Sequence, residues 1–423
     1  VALAVALASV AFGQHRNTRA PAVHARTGHT PSASPASPTA EARANPLLPP
    51  QIVLSELFPD LTLLQKSPAT PPAGIEPLYT AQDWEAYRAK FGAEADGVNR
   101  LKSSGILAFS EKLIAAAIGP EPTAGMESAG LKRLLLIRAA ALCYRNRDGY
   151  PTADKAVAAY QAMMDRHSIA QVAALWTISN AMSRMAVTPK PERIRYDGIA
   201  AKANMQLALN LLQADQVEAA QAAIKAIGYH EGWLKSAPAI RSQIAQVRSR
   251  VNQSAKMMDY LATLYQPALH NDENALMVIY LYGRYVKNNI AIVGDLPDRV
   301  PSSPLAHLAA SVNAAEHDPM AAFAAAENLR VVASTLADSA SLIKQRTLYA
   351  AMQNYRAFLN APQTERDRIH RTLARMSLES VIADGAHGPT SIDPFAQPPT
   401  PASSPATQPA PGNALRASIA DER

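Results

Sequence analysis

Cysteine is almost absent from this chain of 423 residues. Its single thiol, Cys143, excludes an intrachain disulfide and any multi-cysteine metal site. Aromatic residues make up 6% and charged residues 18%. No run of eighteen apolar residues occurs, so no segment has the length of a transmembrane helix. Alternating apolar and polar strand patterns are missing. So are a His-Glu-x-x-His motif, an Asp-rich metal motif and a glycine-rich phosphate loop. A Ser-x-x-Lys, Ser341 to Lys344, stands without the companion motifs of penicillin-binding enzymes. No catalytic residue, no metal site and no cofactor is indicated. Excess charge of one sign is also scarce. The net charge is +6, and residues 51–384 carry only +4 of it. Nucleic-acid binding needs basic residues clustered on one face, so that class is excluded.

What is present is uneven. Of 32 prolines, twelve lie in residues 1–77, eight in 386–423 and twelve in the long middle. Residues 1–13, VALAVALASVAFG, form an apolar run of signal-peptide length ending in small residues. They predict an export signal cleaved after Gly13, and an exported protein of a bacterial periplasm or cell surface. Residues 14–50 are rich in Pro, Ala and Ser and have no apolar period, which predicts a disordered spacer. Residues 51–78 hold Ile52, Leu54, Leu57, Phe58, Leu61, Leu63 and Leu64, enough for a partly ordered piece that docks on the body. Residues 386–423 predict a second disordered, proline-rich tail.

The middle, 79–385, reads as all-α, about ten antiparallel helices stacked as a helical-repeat solenoid or an irregular bundle. Thr80 with Asp83 and Thr364 with Asp367 mark helix starts. Ser303-Pro304 and Asp318-Pro319 mark two more. Asp384-Gly385 marks the last helix end. Ile240, Ile244, Val247, Val251, Ser254, Met258, Leu261 and Tyr265 step alternately by four and three, a heptad seam that should end at Pro267. A helix over 272–289, apolar on most sides, should be deeply buried beside it. Trp84, Trp176, Tyr280 and Tyr282 are expected in the core, and Cys143 as a buried, inert thiol.

Two stretches share a finer pattern. In IRAAALCYRNRDGYPTADKAVAAYQAMM, Ala140, Ala141 and Tyr144 precede a Gly149-Tyr150 turn, then Ala156 and Tyr160. In MQLALNLLQADQVEAAQAAIKAI, Leu207, Ala208 and Leu211 precede Ala220 and Ile224, with Asp215 where a turn glycine is usual. Together these resemble the helix-turn-helix of tetratricopeptide repeats. The resemblance implies a stacked array with a concave protein-binding surface and no catalysis of its own.

The candidate binding residues are Tyr229, His230, Glu231 and Trp233, in a loop bracketed by Gly228 and Gly232, together with Arg241 and Arg248. The two arginines belong to an acid-free basic stretch from Lys235 to Lys256. Loops on a rigid scaffold and exposed Tyr, Trp and Arg are favoured contact groups. The expected partner is a protein or another envelope component, and the expected role is a non-catalytic scaffold. Two alternatives remain open. One is an all-α enzyme on cell-wall glycan using carboxylates such as Glu231, Asp272 and Glu273. The other is a subunit that self-assembles through the heptad seam.

Overall fold

Thr80 opens the first long helix in the way its side chain predicts. Its hydroxyl accepts from the Asp83 amide at 3.1 Å, and the Asp83 carboxylate accepts from the Thr80 amide at 2.7 Å. The computed structural model describes residues 51–59, 61, 74–119, 128–144, 146–184, 188–228, 232–289, 293–362, 367–386 and 392–395. The export segment and the spacer expected at 1–50 lie outside them. Ala44–Arg423 forms one compact unit, and only that unit is described.

The unit is all-α. Among the described residues there are thirteen α-helices. They are α1 (Ala81–Gly97), α2 (Ser103–Ile118), α3 (Ala129–Cys143), α4 (Tyr150–Met163), α5 (Ile169–Arg184), α6 (Lys190–Gln213) and α7 (Val217–Ala226). Then come α8 (Pro238–Leu269), α9 (Glu273–Leu281), α10 (Pro304–Ala314), α11 (Pro319–Thr335), α12 (Ser341–Asn360) and α13 (Arg368–Ala383). Most helices pack on the next in sequence, α5 on α6 and α11 on α12 most extensively. Both stretches with the repeat-like pattern are helical hairpins, α3 with α4 and α6 with α7. Apart from Tyr150 in the first turn, the apolar residues named for them are all buried. At Gly149 a Cβ would meet the Cys143 carbonyl oxygen at 2.4 Å, so the first hairpin's turn needs glycine.

The helix count exceeds the expected ten because three turns, 98–102, 164–168 and 336–340, contain neither proline nor glycine. The second is built from side chains. Asp165 accepts from the His167 amide at 2.9 Å, and Gln171 reaches back to accept from the Asp165 amide at 2.9 Å. Such local polar bonds compete with the helix as effectively as a breaker residue.

Other helix ends agree with the sequence or correct it. Ser303 and Asp318 cap α10 and α11, each with proline at the first helical position. Gly385, at φ +88°, closes α13. The Thr364 pattern lies outside the described residues; α13 is described from Arg368, and its N-cap residue, Asp367, makes no side-chain cap. Pro267 does not stop α8, which continues to Leu269. A proline in the last turn forfeits one ladder bond, and its carbonyl still accepts from the His270 and Asp272 amides, each at 3.0 Å.

Two apolar cores result. The first joins α1 to α7 and is entered by Ile244, Val247 and Val251 of α8. The second joins α9 to α13 and is entered by Met257, Met258, Leu261 and Ala268 of the same helix. α8 has 32 residues, about 48 Å of helix, and belongs to both cores. Its seam is therefore consumed inside the chain. α9 is buried from Ala275 through Leu281 and continues into a π-helical turn, Tyr282–Val286.

Candidate functional site

Of the six residues singled out from sequence, the structure places two in full. Tyr229, His230 and Glu231 lie outside the described residues. Trp233 begins a short 3-10 turn, Trp233–Ser236, but its side chain also lies outside them. Arg241 and Arg248 are exposed on the first turns of α8, seven residues apart and so on one face. Among the carboxylates named for glycan chemistry, Asp272 caps α9 by accepting from the Ala275 amide at 2.8 Å. No group of three or more His, Cys, Asp or Glu converges as a metal site among the described residues. Cys143 is fully buried, and burial pushes its thiol pKa up to about 11.

A polar cluster joins α4 to α6. Tyr150 donates to Glu192 Oε2 at 2.7 Å, and Tyr196 donates to Asp154 Oδ1 at 2.7 Å. Arg195 binds Glu192 Oε2 at 2.9 Å, donates to the Tyr150 oxygen at 3.1 Å and pairs with Asp154. The Tyr150 hydrogen bond, then Arg195, holds the Glu192 carboxyl below its usual range. Burial pushes Tyr150 up to about 12. With the carboxyl ionised and the phenol protonated across the neutral range, the cluster ties helices together rather than exchanging protons.

A different arrangement holds a segment of the chain itself. Residues 51–59, outside every long helix, lie along α5 and the start of α7. Gln51 donates through Nε2 to the Asp215 carbonyl at 2.9 Å and accepts from the Glu218 amide at 3.2 Å. The Ile52 amide donates to Gln216 Oε1 at 2.7 Å. The α7 N-cap, Gln216, makes no capping bond itself. A side chain from 167 residues away thus satisfies one of the helix's free amides. A single 3-10 turn, Leu54–Leu57, then buries Leu57 and sets the Phe58 ring 4.3 Å from the Trp176 ring. Burying Leu57 and most of Phe58 contributes about 3 kcal/mol.

The helix under that ring is polar where it should be apolar. Trp176, Ser179 and Asn180 stand at i, i+3 and i+4 on α5, one helical face. All three are buried, and Trp176 Nε1, Ser179 Oγ and Asn180 Oδ1 have no hydrogen-bond partner among the described residues. On the neighbouring α6, Asn204 is fully buried with both amide atoms unpartnered among the described residues.

A second short segment also docks on the first core. Residues 392–395 fall inside the stretch expected to be a disordered tail, yet Ile392 and Phe395 pack on that core. Asp393 pairs with Arg166 at 3.3 Å, and its carbonyl accepts from Gln243 at 3.5 Å. The Phe395 ring lies 5.2 Å from the Arg166 guanidinium. Both docked segments carry phenylalanine next to proline, Phe58-Pro59 and Pro394-Phe395.

Sequence reasoning found the N-terminal segment through its leucines but missed its seat. Trp176 was expected only as core, and Asn180 and Asn204 sit in alanine-rich runs that look like any buried helix. The signal that could have found them is a polar residue at a fully apolar register. No family model matches the chain, and no curated protein or solved structure matches it.

Proposed function

We propose that this chain is an exported, non-catalytic helical scaffold that binds protein partners in the cell envelope, taking short apolar segments of those partners on its first core. The observation that carries this reading is the pair of docked segments, 51–59 and 392–395. Each is held by an aromatic anchor and by backbone hydrogen bonds from body side chains. Recognition of a short peptide uses these two elements, a pocketed anchor and main-chain bonds. The apolar run at 1–13 supports export, and the buried small-residue pattern of the α3–α4 and α6–α7 hairpins supports a tetratricopeptide-like array.

The test is direct. Immobilised full-length protein is challenged with a display library of random twelve-residue peptides. The expected result is enrichment of peptides that combine Phe or Trp with Leu and Pro. Failure to enrich any peptide over the bare support would overturn the scaffold reading.

A further inference from the structure

We infer that the outer face of α13 is a self-association surface, on which a second copy of this chain docks its own α13 in an antiparallel, two-fold pair. The inference goes beyond the scaffold reading and does not depend on it.

α13 carries two faces, and the fold covers one of them. His370, Ala374, Ser377 and Val381 step 4-3-4 along the inner face, toward α11 and α12. Ala374 and Val381 are buried in the second core. The His370 ring lies 5.3 Å from the Phe323 ring, and the Ser377 hydroxyl donates to Glu327 at 2.8 Å. Ile369, Leu373 and Met376 step 4-3 along a second face, about a quarter turn round the helix. They are 72%, 46% and 64% exposed. Of the nine large apolar side chains exposed among the described residues, four belong to α13, and no other helix exposes more than one. An apolar stripe gathered on one helix marks an interaction surface, whereas single exposed residues do not.

The two terminal helices differ, and the difference selects the occupant. A terminal helix of a stacked array needs a polar outer face to stay solvated. α1 has one: none of its large apolar side chains is exposed, and its exposed positions include Gln82, Glu85, Lys90 and Glu94. α13 lacks one. A head-to-tail contact of α13 on α1 of the next copy would set the stripe against polar groups. The apolar surface that this chain offers in return is the same stripe on another copy, so the contact is isologous and closes as a dimer.

Charge sets the direction. Arg368 and Glu379 are both exposed and lie about three turns apart on one flank of the stripe, with Leu373 midway. In an antiparallel pair about a two-fold axis, the same flanks of both helices face each other and run in opposite directions. Arg368 of each copy then meets Glu379 of the other, giving two ion pairs, and Arg375 falls opposite Thr372. Within the stripe, Leu373 meets Met376, and Ile369 covers Ser380. A parallel pair separates these flanks and makes neither ion pair. One helix pair is a small interface, so the dimer is weak and depends on concentration.

The experiment is sedimentation equilibrium of the full chain over about a hundredfold range of concentration, where a monomer–dimer equilibrium is expected. Leu373→Glu should weaken the dimer about tenfold or more, because it sets two carboxylates at the centre of the contact. Its melting temperature at low concentration should match that of the unaltered protein, since the position is exposed in the monomer. Arg368→Glu and Glu379→Arg each turn two attractions into two repulsions and should each weaken self-association about tenfold. Mixed in equal amounts, these two variants should pair with each other as tightly as the unaltered chain pairs with itself, because opposite charges meet again at both ends.

A monomer at every concentration would overturn the inference, as would a dimer that Leu373→Glu leaves unchanged. A mixture of the two charge variants that associates no better than either alone would overturn the antiparallel pair. If a dimer forms only after residues 396–423 are removed, the tail of the chain itself covers the stripe and the second copy is excluded. If the unaltered chain stays monomeric but sediments with vesicles of anionic phospholipid, and Leu373→Glu does not, the stripe docks on lipid and the inference falls. The peptide-library result does not bear on any of these outcomes, so this surface and the scaffold reading fail separately.

Discussion

Asp215 joins three parts of the chain. It adopts φ +59° in the turn between α6 and α7, a conformation that Asp tolerates better than most residues. Its carbonyl accepts from Gln51 and its carboxylate from Lys287 Nζ at 2.5 Å. Both side chains of this ion pair are more than three-quarters covered. Asp215→Asn keeps the tolerated backbone and loses the ion pair, so it should cost about 1 to 2 kcal/mol in urea unfolding. Asp215→Ala should cost about 1 kcal/mol more, through left-handed strain. The pair Asp215→Asn with Lys287→Met should cost less than the sum of its single changes. If Asp215→Asn unfolds at the same urea concentration as the unaltered protein, the ion pair contributes nothing. Cys143 gives a second measurable residue. Its thiol pKa rises from 9.0 unfolded to about 11 folded, chiefly by burial. The folded state therefore favours the protonated thiol. That contribution is complete below pH 9 and is lost as pH rises toward 11, by about 2 to 3 kcal/mol. Stability measured between pH 8 and 11 should fall more steeply for the unaltered protein than for Cys143→Ala. Parallel slopes would refute the assignment.

At the scale of elements, Glu327 is the junction of α11, α12 and α13. Its Oε1 accepts from Tyr355 at 2.7 Å and Ser377 at 2.8 Å, and Oε2 accepts from Arg330 at 2.8 Å. Burial alone would raise its pKa, but these donors outweigh burial and hold it below 4.5. Its contribution is present above the unfolded pKa and is lost as pH falls through the folded one. Acid unfolding followed by circular dichroism should therefore begin at lower pH for Glu327→Gln, relative to its own neutral stability, than for the unaltered protein. A common acid midpoint would exclude this role. No such junction can be read in the sequence, because Glu327, Tyr355 and Ser377 meet only after three helices have packed. The helices were legible for the opposite reason. Of the eight residues that spacing picks out along α8, the six from Ile244 to Leu261 are buried, and Ile240 and Tyr265 at its ends are half-buried. Periodicity reports a face, and burial follows the face. Turns were legible only where backbone chemistry marks them, as at Ser303-Pro304. The turn at 164–168 depends on Gln171 reaching back, which no local residue announces.

At the scale of the whole molecule, the two cores share one helix and little else that a sequence could foretell. The proline distribution located the helical middle, but the seat of the N-terminal segment stayed hidden. It depends on Phe58 meeting Trp176 and on polar atoms left over at α5, both of which are tertiary events. α8 makes the sharing testable. Val251 is the last of its residues in the first core and Met257 the first in the second, with Ser254 between them. If the continuous helix couples the cores, both should unfold together. Trp84 and Trp176 lie in the first core, so in a Trp233→Phe background tryptophan fluorescence follows that core, whereas far-ultraviolet circular dichroism follows both. In the unaltered protein the two denaturation curves should coincide. Ser254→Pro breaks the ladder at this junction, at a cost of about 3 kcal/mol, without removing any apolar side chain from either core. It should separate the two curves, whereas Ser254→Ala, which keeps the helix, should leave them together. Superimposed curves for Ser254→Pro would mean that the cores are coupled through their lateral contacts, chiefly the Asp215–Lys287 link and Val217. In that case the double change Ser254→Pro with Lys287→Met becomes the one that divides them.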